Sequence, residues 1–253
     1  MKIFLGFWFF ILGCVLGSFL ACMGYRIPNK IKTTYPSSFC PYCKKPLKWY
    51  MNIPIFSYIF LKGRCFYCKK KIGSIYFICE LLCGVLFLVN YLLFGISQDF
   101  FIATILVCAL IVTIVSDFEY YYISDRVIVI SYLLILITLI FYLEPSDILV
   151  RIISSVLLFL IMYGIKLLGY SMFHKESLGD GDIKLMSIVG LSLGLLNSFI
   201  SLFFSSVIAL IFSFIFIKKN KDNLIPFGPF LLIGALIVIY FSKYINPFVD
   251  SLL

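Results

Sequence analysis

Long apolar runs separated by short polar segments make up most of this chain. About 20 apolar residues are enough for a helix to cross the hydrocarbon core of a bilayer. The pattern therefore predicts an all-α, polytopic membrane bundle of about eight transmembrane helices. The predicted spans are approximately Ile3–Cys22, Ile75–Phe94, Phe100–Ser116, Val127–Leu143, Ile148–Leu168, Ile183–Leu196, Phe199–Ile217 and Phe230–Ile245. The sixth span is short, contains Gly190 and Gly194, and meets the seventh near Asn197.

The composition agrees with a membrane protein. Hydrophobic residues make up 62% of the 253 residues and charged residues only 13%, whereas a soluble domain carries about 25% charged residues. The first apolar run has one lysine before it and no small-residue cleavage site after it. We therefore expect it to remain as a spanning helix and not to be removed as a signal peptide.

The basic residues fall almost entirely on one side of the predicted spans. Of the 21 Lys and Arg residues, only Lys2, Arg151 and Lys243 lie on the other side. The positive-inside rule places the crowded side in the cytoplasm and both termini outside. The net charge of +9 thus reflects membrane topology and contact with anionic lipid, and we expect no nucleic-acid partner.

The first cytoplasmic loop carries two closely spaced pairs of cysteines and no acidic residue between Tyr25 and Cys79. The four cysteines are Cys40, Cys43, Cys65 and Cys68. Two such pairs can close a tetrahedral Cys₄ zinc site, which would fold a loop too small and too polar to build a core of its own. A disulfide framework is the alternative, but thiols stay reduced in the cytoplasm. A redox motif is a third option, although it needs only one pair.

Two acidic residues fall at the cytoplasmic ends of predicted spans, and so at one depth. Asp117 ends the third span, and Asp182 begins the sixth between flexible glycines, Gly179 and Gly181. Two facing carboxylates are sufficient for peptide hydrolysis, because only one of a close pair ionises. The ionised one can activate water while the protonated one polarises the scissile carbonyl. A third acid, Glu80, begins the second span and could be buried against the loop.

Other chemistries fit the sequence less well. The single histidine, His174, excludes a His-Glu-x-x-His zinc protease, and its neighbours show no Ser-His-Asp motif. A proton-coupled transporter could also use paired acids, but no inverted repeat and no acid near mid-span is evident. A membrane-anchored zinc module without catalysis is a second alternative. Loss of cleavage on Asp→Asn replacement would separate these interpretations.

Several motifs in order along the chain resemble those of one family, the bacterial prepilin peptidases, also called type IV leader peptidases. The motifs are Gly13–Leu20 and Tyr25–Pro28 of the first helix and its exit, the cysteine tetrad, Trp49–Pro54, Leu61–Cys65, the Gly-x-Gly-Asp signature at Gly179–Lys184, and Ile225–Pro229 before the last helix. The resemblance covers nearly the whole chain.

The resemblance implies an aspartic dyad of Asp117 and Asp182, supported by Gly179, Gly181, Asp125 and Lys184. It implies prepilin and pseudopilin substrates with short basic leaders, and a bacterial inner membrane location with the active site at the cytoplasmic face. It also implies N-methylation of the new N-terminus with S-adenosylmethionine, a role tied to the loop, where Gly63 is a candidate cofactor-binding residue. The corresponding divisions are a first helix (1–24), a Cys₄ loop (25–73) and a peptidase domain (74–253).

Two positions depart from the family pattern. Ser124 stands where a proline usually precedes the acid at Asp125, and Asp180 adds an acid beside the signature aspartate. With these, the cytoplasmic ends of spans three to six carry a predicted acidic ring that would receive the cations of a basic leader. Its members are Asp117, Glu119, Asp125, Glu176, Asp180 and Asp182.

Overall fold

A computed structural model describes residues 2–33, 35, 37–174, 178–216 and 226–250. In these ranges the chain is helical apart from short connections and the first loop, where two isolated antiparallel bridges occur. The helices are α1 (Lys2–Arg26), α2 (Phe56–Phe60), α3 (Ser74–Phe94), α4 (Gln98–Tyr120), α5 (Asp125–Tyr142), α6 (Pro145–Phe173), α7 (Asp180–Leu193), α8 (Leu195–Phe216), α9 (Gly228–Tyr240) and α10 (Ser242–Asp250). A short 3₁₀ turn, Trp49–Asn52, precedes α2.

Six of the described helices are long and apolar enough to cross a membrane, namely α1, α3, α4, α5, α6 and α8. Helices α7 and α9 correspond to the sixth and eighth predicted spans but have only 14 and 13 residues. At 1.5 Å per residue each is about 20 Å long, less than the roughly 30 Å of a hydrocarbon core. The chain is a multi-pass membrane protein, and the predicted all-α bundle is confirmed.

Most predicted spans begin or end a few residues from the helix ends, and the sixth and eighth differ for identifiable reasons. The sixth span ends at Leu193, because Gly194 adopts a left-handed φ of 78° that stops α7 before Asn197. Arg151 donates to the carbonyl oxygen of Ser192 at 2.8 Å and so satisfies a backbone acceptor at that helix end. The eighth predicted span is divided at Phe241 into α9 and α10.

The bundle has a central layer and a lipid-facing periphery. Helix α4 is the most enclosed of the long helices, with 67% of its apolar window buried, and it packs against α1, α3, α5 and α9. Large apolar side chains on the outer helices stay exposed, such as Phe141, Leu168 and Phe214. In a membrane these residues contact lipid. Helices α4 and α7 lie inside them, away from the lipid.

Helices α1 and α3 meet along a seam of small residues. A Cβ atom added at Gly13 would lie 2.8 Å from the Cα atom of Gly84, and one added at Gly17 would lie 2.7 Å from the Cβ atom of Cys83. Both distances are too short for a side chain, so the glycines allow the backbones to pack directly. This seam brings together the two ends of the cysteine-containing loop.

Candidate active site and metal centre

The structure brings the two predicted catalytic acids together inside the bundle. Asp117 lies in the last turn of α4 and Asp182 in the first turn of α7. Both are buried, with only 5% and 9% of their surfaces exposed, and they are close enough for the charge of Asp117 to act on Asp182. Burial of two interacting carboxylates is costly and is a common property of functional sites.

A single isoleucine links the elements that carry the acids. Ile123 lies in the connection between α4 and α5. A Cβ atom added at Gly181 would lie 2.6 Å from its Cβ atom, and one added at Gly228 would lie 2.7 Å from its Cδ1 atom. The first residues of α7 and α9 therefore converge on Ile123, within a few residues of both Asp117 and Asp182.

Each acid is close to the N-terminus of a short helix: Asp117, at the end of α4, contacts the start of α9, and Asp182 lies in the first turn of α7. The backbone N–H of Gly228, the first residue of α9, donates to Oδ2 of Asp117 at 3.1 Å. Asp182 is the third residue of α7. Helix N-termini present unpaired N–H groups and partial positive charge, which stabilise negative charge nearby. The two short helices thus offset part of the cost of burying the carboxylates.

One carboxylate oxygen of Asp182 has no hydrogen-bond partner among the described residues. Its Oδ1 atom is buried, and no hydrogen-bond donor lies within reach among the residues that the structure describes. Its Oδ2 atom faces Gly179, where an added Cβ would lie 3.2 Å away. A buried polar atom without a partner is uncommon in native structures and suggests a position where water or a substrate group binds.

Two lysine–carboxylate pairs lie on the rim of this site. Lys184 donates to Asp125 at 2.5 Å, and Lys166 donates to Asp180 at 2.5 Å. Two acids of the predicted ring are therefore already paired with lysines, while Glu119 is exposed at the end of α4. Glu176 lies outside the described residues.

We expect Gly181→Ala to reduce cleavage of a peptide substrate, because the new methyl group would collide with Ile123 and displace Asp182. Overpacking of this kind costs about 1–3 kcal/mol. Adding Ile123→Ala should restore part of the activity, since it removes the colliding atoms. The measurement is a double-mutant cycle on kcat/KM. Strictly additive losses would show that the two residues do not couple.

The four loop cysteines form two knuckles with the same backbone pattern. In the first, Cys40 accepts from the N–H of Lys44 and donates to the carbonyl of Lys45. In the second, Cys65 is bonded in the same way to Lys69 and Lys70. The fifth residue of each pattern, Lys44 or Lys69, has a positive φ near 58°. The knuckles also exchange cation–π contacts, from Lys45 to Tyr67 and from Lys70 to Tyr42.

The four thiols fit one metal ion. Their sulfur atoms all lie within 4.8 Å of one another, and those of Cys40 and Cys68 are 3.9 Å apart. Four sulfurs at about 2.3 Å from a tetrahedral zinc ion would be about 3.8 Å apart. Burial raises the pKa of the Cys40 thiol to about 11. At Cys65 burial acts in the same direction, but hydrogen bonds from the backbone of Cys68 and Tyr67 and from the thiols of Cys40 and Cys68 outweigh it and lower the pKa to about 7. Such a thiol is readily available as a thiolate ligand.

Gly63 lies at the edge of the second knuckle. It has a left-handed φ of 64°, and an added Cβ would lie 2.8 Å from the hydroxyl oxygen of Tyr58. An open cavity of about 460 Å³ lies beside it, lined by Leu61, Lys62, Arg64, Cys65 and Lys69. The cationic lining fits the carboxylate end of S-adenosylmethionine, but among the lining residues no acid is present for its ribose or its sulfonium.

Comparisons with known proteins agree with the order of these features along the chain. A family model described as "Bacterial Peptidase A24 N-terminal domain" matches residues 11–94. A second, "Type IV leader peptidase family", matches residues 104–214. A "Prepilin leader peptidase/N-methyltransferase" of Legionella pneumophila is 31% identical, over 85% of this chain and 76% of the relative. The chain belongs to the type IV leader peptidase family.

Other members of the family match over nearly their whole length. The proteins of the same name from Vibrio cholerae and Bacillus subtilis are 30% and 29% identical, over 92% and 94% of this chain and 95% of each relative. No solved structure matches the chain. The predicted family is therefore confirmed, and the transporter alternative finds no support among these relatives.

Sequence reasoning missed one residue, Ile123, and the partners of two others that the structure adds to these sites. Gly228 donates to Asp117, Ile123 separates the glycines, and Glu80 accepts from the N–H of Ile55 at 2.7 Å. The Ile225–Pro229 motif was a signal for the first of them. Glu80 was expected to lie buried against the loop and is half-buried there, but the sequence did not indicate Ile55 as its partner.

Proposed function

We propose that this protein is a leader peptidase that removes short basic leaders from prepilins and pseudopilins at the cytoplasmic face of the bacterial inner membrane. The observation that carries the proposal is the meeting of two buried acids, Asp117 and Asp182, at the N-termini of two short helices. Family membership supports the substrate class, since the relatives carry the name prepilin leader peptidase/N-methyltransferase.

In the proposed reaction the two carboxyl groups divide the work. Two carboxyl groups this close cannot both be ionised, so they share one proton. The N–H of Gly228 stabilises negative charge on Asp117, which favours Asp117 as the general base that takes a proton from water. The protonated Asp182 donates to the scissile carbonyl, and its unpartnered Oδ1 is available for that bond. Gly179 has no side chain to cover Oδ2 of Asp182, so an extended substrate backbone can approach the dyad there, while Gly181 lets the start of α7 pack directly on Ile123.

The loop is proposed to hold one zinc ion on Cys40, Cys43, Cys65 and Cys68, where it would fix the relative orientation of the two knuckles. N-methylation of the new N-terminus is the second proposed activity, with S-adenosylmethionine as the methyl donor. It rests on the names of the relatives and on the position of Gly63 beside a cationic cavity. The division into a first helix (1–24), loop (25–73) and peptidase domain (74–253) remains part of the proposal.

The direct test is cleavage of a purified prepilin by the full-length protein in lipid nanodiscs. Mass spectrometry of the product identifies the new N-terminus and any methyl group on it. We expect a cut after the glycine that ends the leader. If the leader stays intact although the protein is folded and zinc-loaded, the proposal is overturned.

We expect Glu119→Lys to raise KM for a basic leader about two- to fivefold and to leave kcat nearly unchanged. Glu119 is exposed two residues after Asp117, and an exposed charge pair contributes about 0.2–1 kcal/mol to binding. Loss of binding that is equal in the ground and transition states changes KM alone. Added salt should weaken wild-type binding in the same direction.

The matched control for this charge reversal is Glu144→Lys. Glu144 is also exposed but lies at the far end of α5, away from the dyad. The KM of the Glu144→Lys variant for the leader should equal that of the wild type. Equal effects at both positions, or none at Glu119, would mean that the leader charge is recognised elsewhere.

A further inference from the structure

The segment between the two cysteine pairs, residues 49–60, exposes an unusual set of large apolar side chains. Trp49 is 80% exposed, Phe56 60%, Ile59 58% and Phe60 79%. These residues lie on the 3₁₀ turn and on α2, within a loop whose remaining composition is strongly polar. Exposed clusters of this kind mark contact with a membrane or another molecule.

Contacts with α3 fix the depth of this segment. Glu80 accepts a hydrogen bond from the N–H of Ile55 at 2.7 Å, and the ring of Tyr58 stacks on Phe77 with centroids 5.0 Å apart. Glu80 lies six residues inside α3, which begins at Ser74. At 1.5 Å per residue this is about 9 Å along the helix axis. Helix α2 therefore lies beside the first two turns of a membrane-spanning helix and not above it.

A strained turn directs the segment to this position. Phe56 donates to the carbonyl of Pro54 at 2.6 Å, and Ile55 between them has φ 65° and ψ −57°. These are the features of a γ-turn, which is rare, and a positive φ is especially unfavourable for a β-branched residue. Such a conformation persists only when its surroundings hold it. Here the carboxylate of Glu80 holds the N–H of Ile55.

The charges around the segment favour anionic lipid as its partner. Eleven Lys and Arg residues and no acid occur from position 26 to position 71; Lys48 directly precedes the segment and Lys62 follows it by two residues. Apolar and aromatic side chains bordered by lysines are typical of segments that lie in the interface of an anionic leaflet. A basic leader peptide, in contrast, would be repelled by the same lysines.

We propose that residues 49–60 are an interfacial membrane anchor, seated at the headgroup–acyl boundary of anionic lipid and held at that depth by Glu80. The anchor ties the metal centre to the membrane surface beside α3. It does not depend on the cleavage reaction, so it stands or falls separately from the proposed peptidase function.

The test uses tryptophan as a depth probe in the full-length protein, in vesicles of phosphatidylethanolamine and phosphatidylglycerol. The only native tryptophans, Trp8 and Trp49, are replaced by phenylalanine, and F60W is added as the probe. Y42W, at the first metal knuckle, is the matched control. We expect lipids brominated near the headgroup to quench the F60W probe at least about twofold more than Y42W, and aqueous acrylamide to show the reverse order.

Two changes test the parts of the proposal. In the probe background, Glu80→Ala should make the F60W probe accessible to acrylamide, whereas Glu80→Gln, which keeps an acceptor oxygen, should not. Replacing phosphatidylglycerol by phosphatidylcholine should reduce quenching by brominated lipid. The proposal is overturned if the F60W and Y42W probes are equally accessible to acrylamide, if lipid headgroup charge has no effect, or if added prepilin displaces the lipid from the probe.

Discussion

Replacing Asp182 by asparagine should lower kcat/KM for leader cleavage by at least about 10³-fold, within the range attributed to general acid–base groups. An amide can neither ionise nor donate a carboxylic proton, so the dyad would lose its shared proton. Asp117→Asn should have a loss of similar size. The double variant should be no worse than either single one, because groups that act as a unit are not additive. The measurement is leader release followed by mass spectrometry.

Asp180→Asn is the control for this experiment. Asp180 is two residues from Asp182, but it is exposed and paired with Lys166. Its replacement removes one exposed, solvent-screened ion pair and so should change kcat/KM by less than about fivefold. If the Asp182→Asn variant keeps a tenth or more of the wild-type activity, Asp182 is not a catalytic residue.

Cys65→Ser should reduce bound zinc from about one ion per chain to nearly none, because three thiolates and a hydroxyl make a much weaker site. The same loss is expected at Cys40, Cys43 or Cys68. Elemental analysis of purified protein measures the stoichiometry. Backbone amides of both knuckles should also exchange faster in deuterium, since each Cys₂ turn depends on the other for its fixed position.

Cys22→Ser provides the comparison for the metal experiment. Cys22 lies in α1, outside the group of four thiols that can share one ion. Its replacement should leave zinc content and loop exchange unchanged. Wild-type protein purified without metal, and with disulfides within the cysteine pairs, would contradict both the zinc site and the predicted cytoplasmic position of the loop.

Properties that depend on short stretches of sequence were predictable. Apolar run length placed each predicted span on a helix, and the spacing of the cysteines indicated the group of four thiols that the structure forms. The end of α7 was misplaced by a few residues, because Leu195 and Leu196 continue the apolar run past Gly194. A hydropathy pattern cannot show that one glycine with a positive φ, Gly194, separates α7 from α8.

Long-range contacts were not predictable from the same patterns. The bond between Asp117 and Gly228 joins positions 111 residues apart, and nothing near either residue specifies the other. The contact of Ile123 with two glycines depends on three connections converging at one end of the bundle. The γ-turn at Ile55 is opposed by the conformational preference of isoleucine, so local propensity predicts against it. Each of these features lies close to a candidate functional site.

The glycine seam between α1 and α3 has a consequence for biosynthesis. Both helices leave the ribosome before α4 and the helices that follow it, and their close backbone contact at Gly13 and Gly17 does not require any of those later helices. Closing the intervening loop costs little additional entropy as its length grows. The hairpin of α1 and α3 can therefore form in the membrane first, with Glu80 in place to receive Ile55 and the four thiols brought together. The later helices would then assemble against a unit that is already folded.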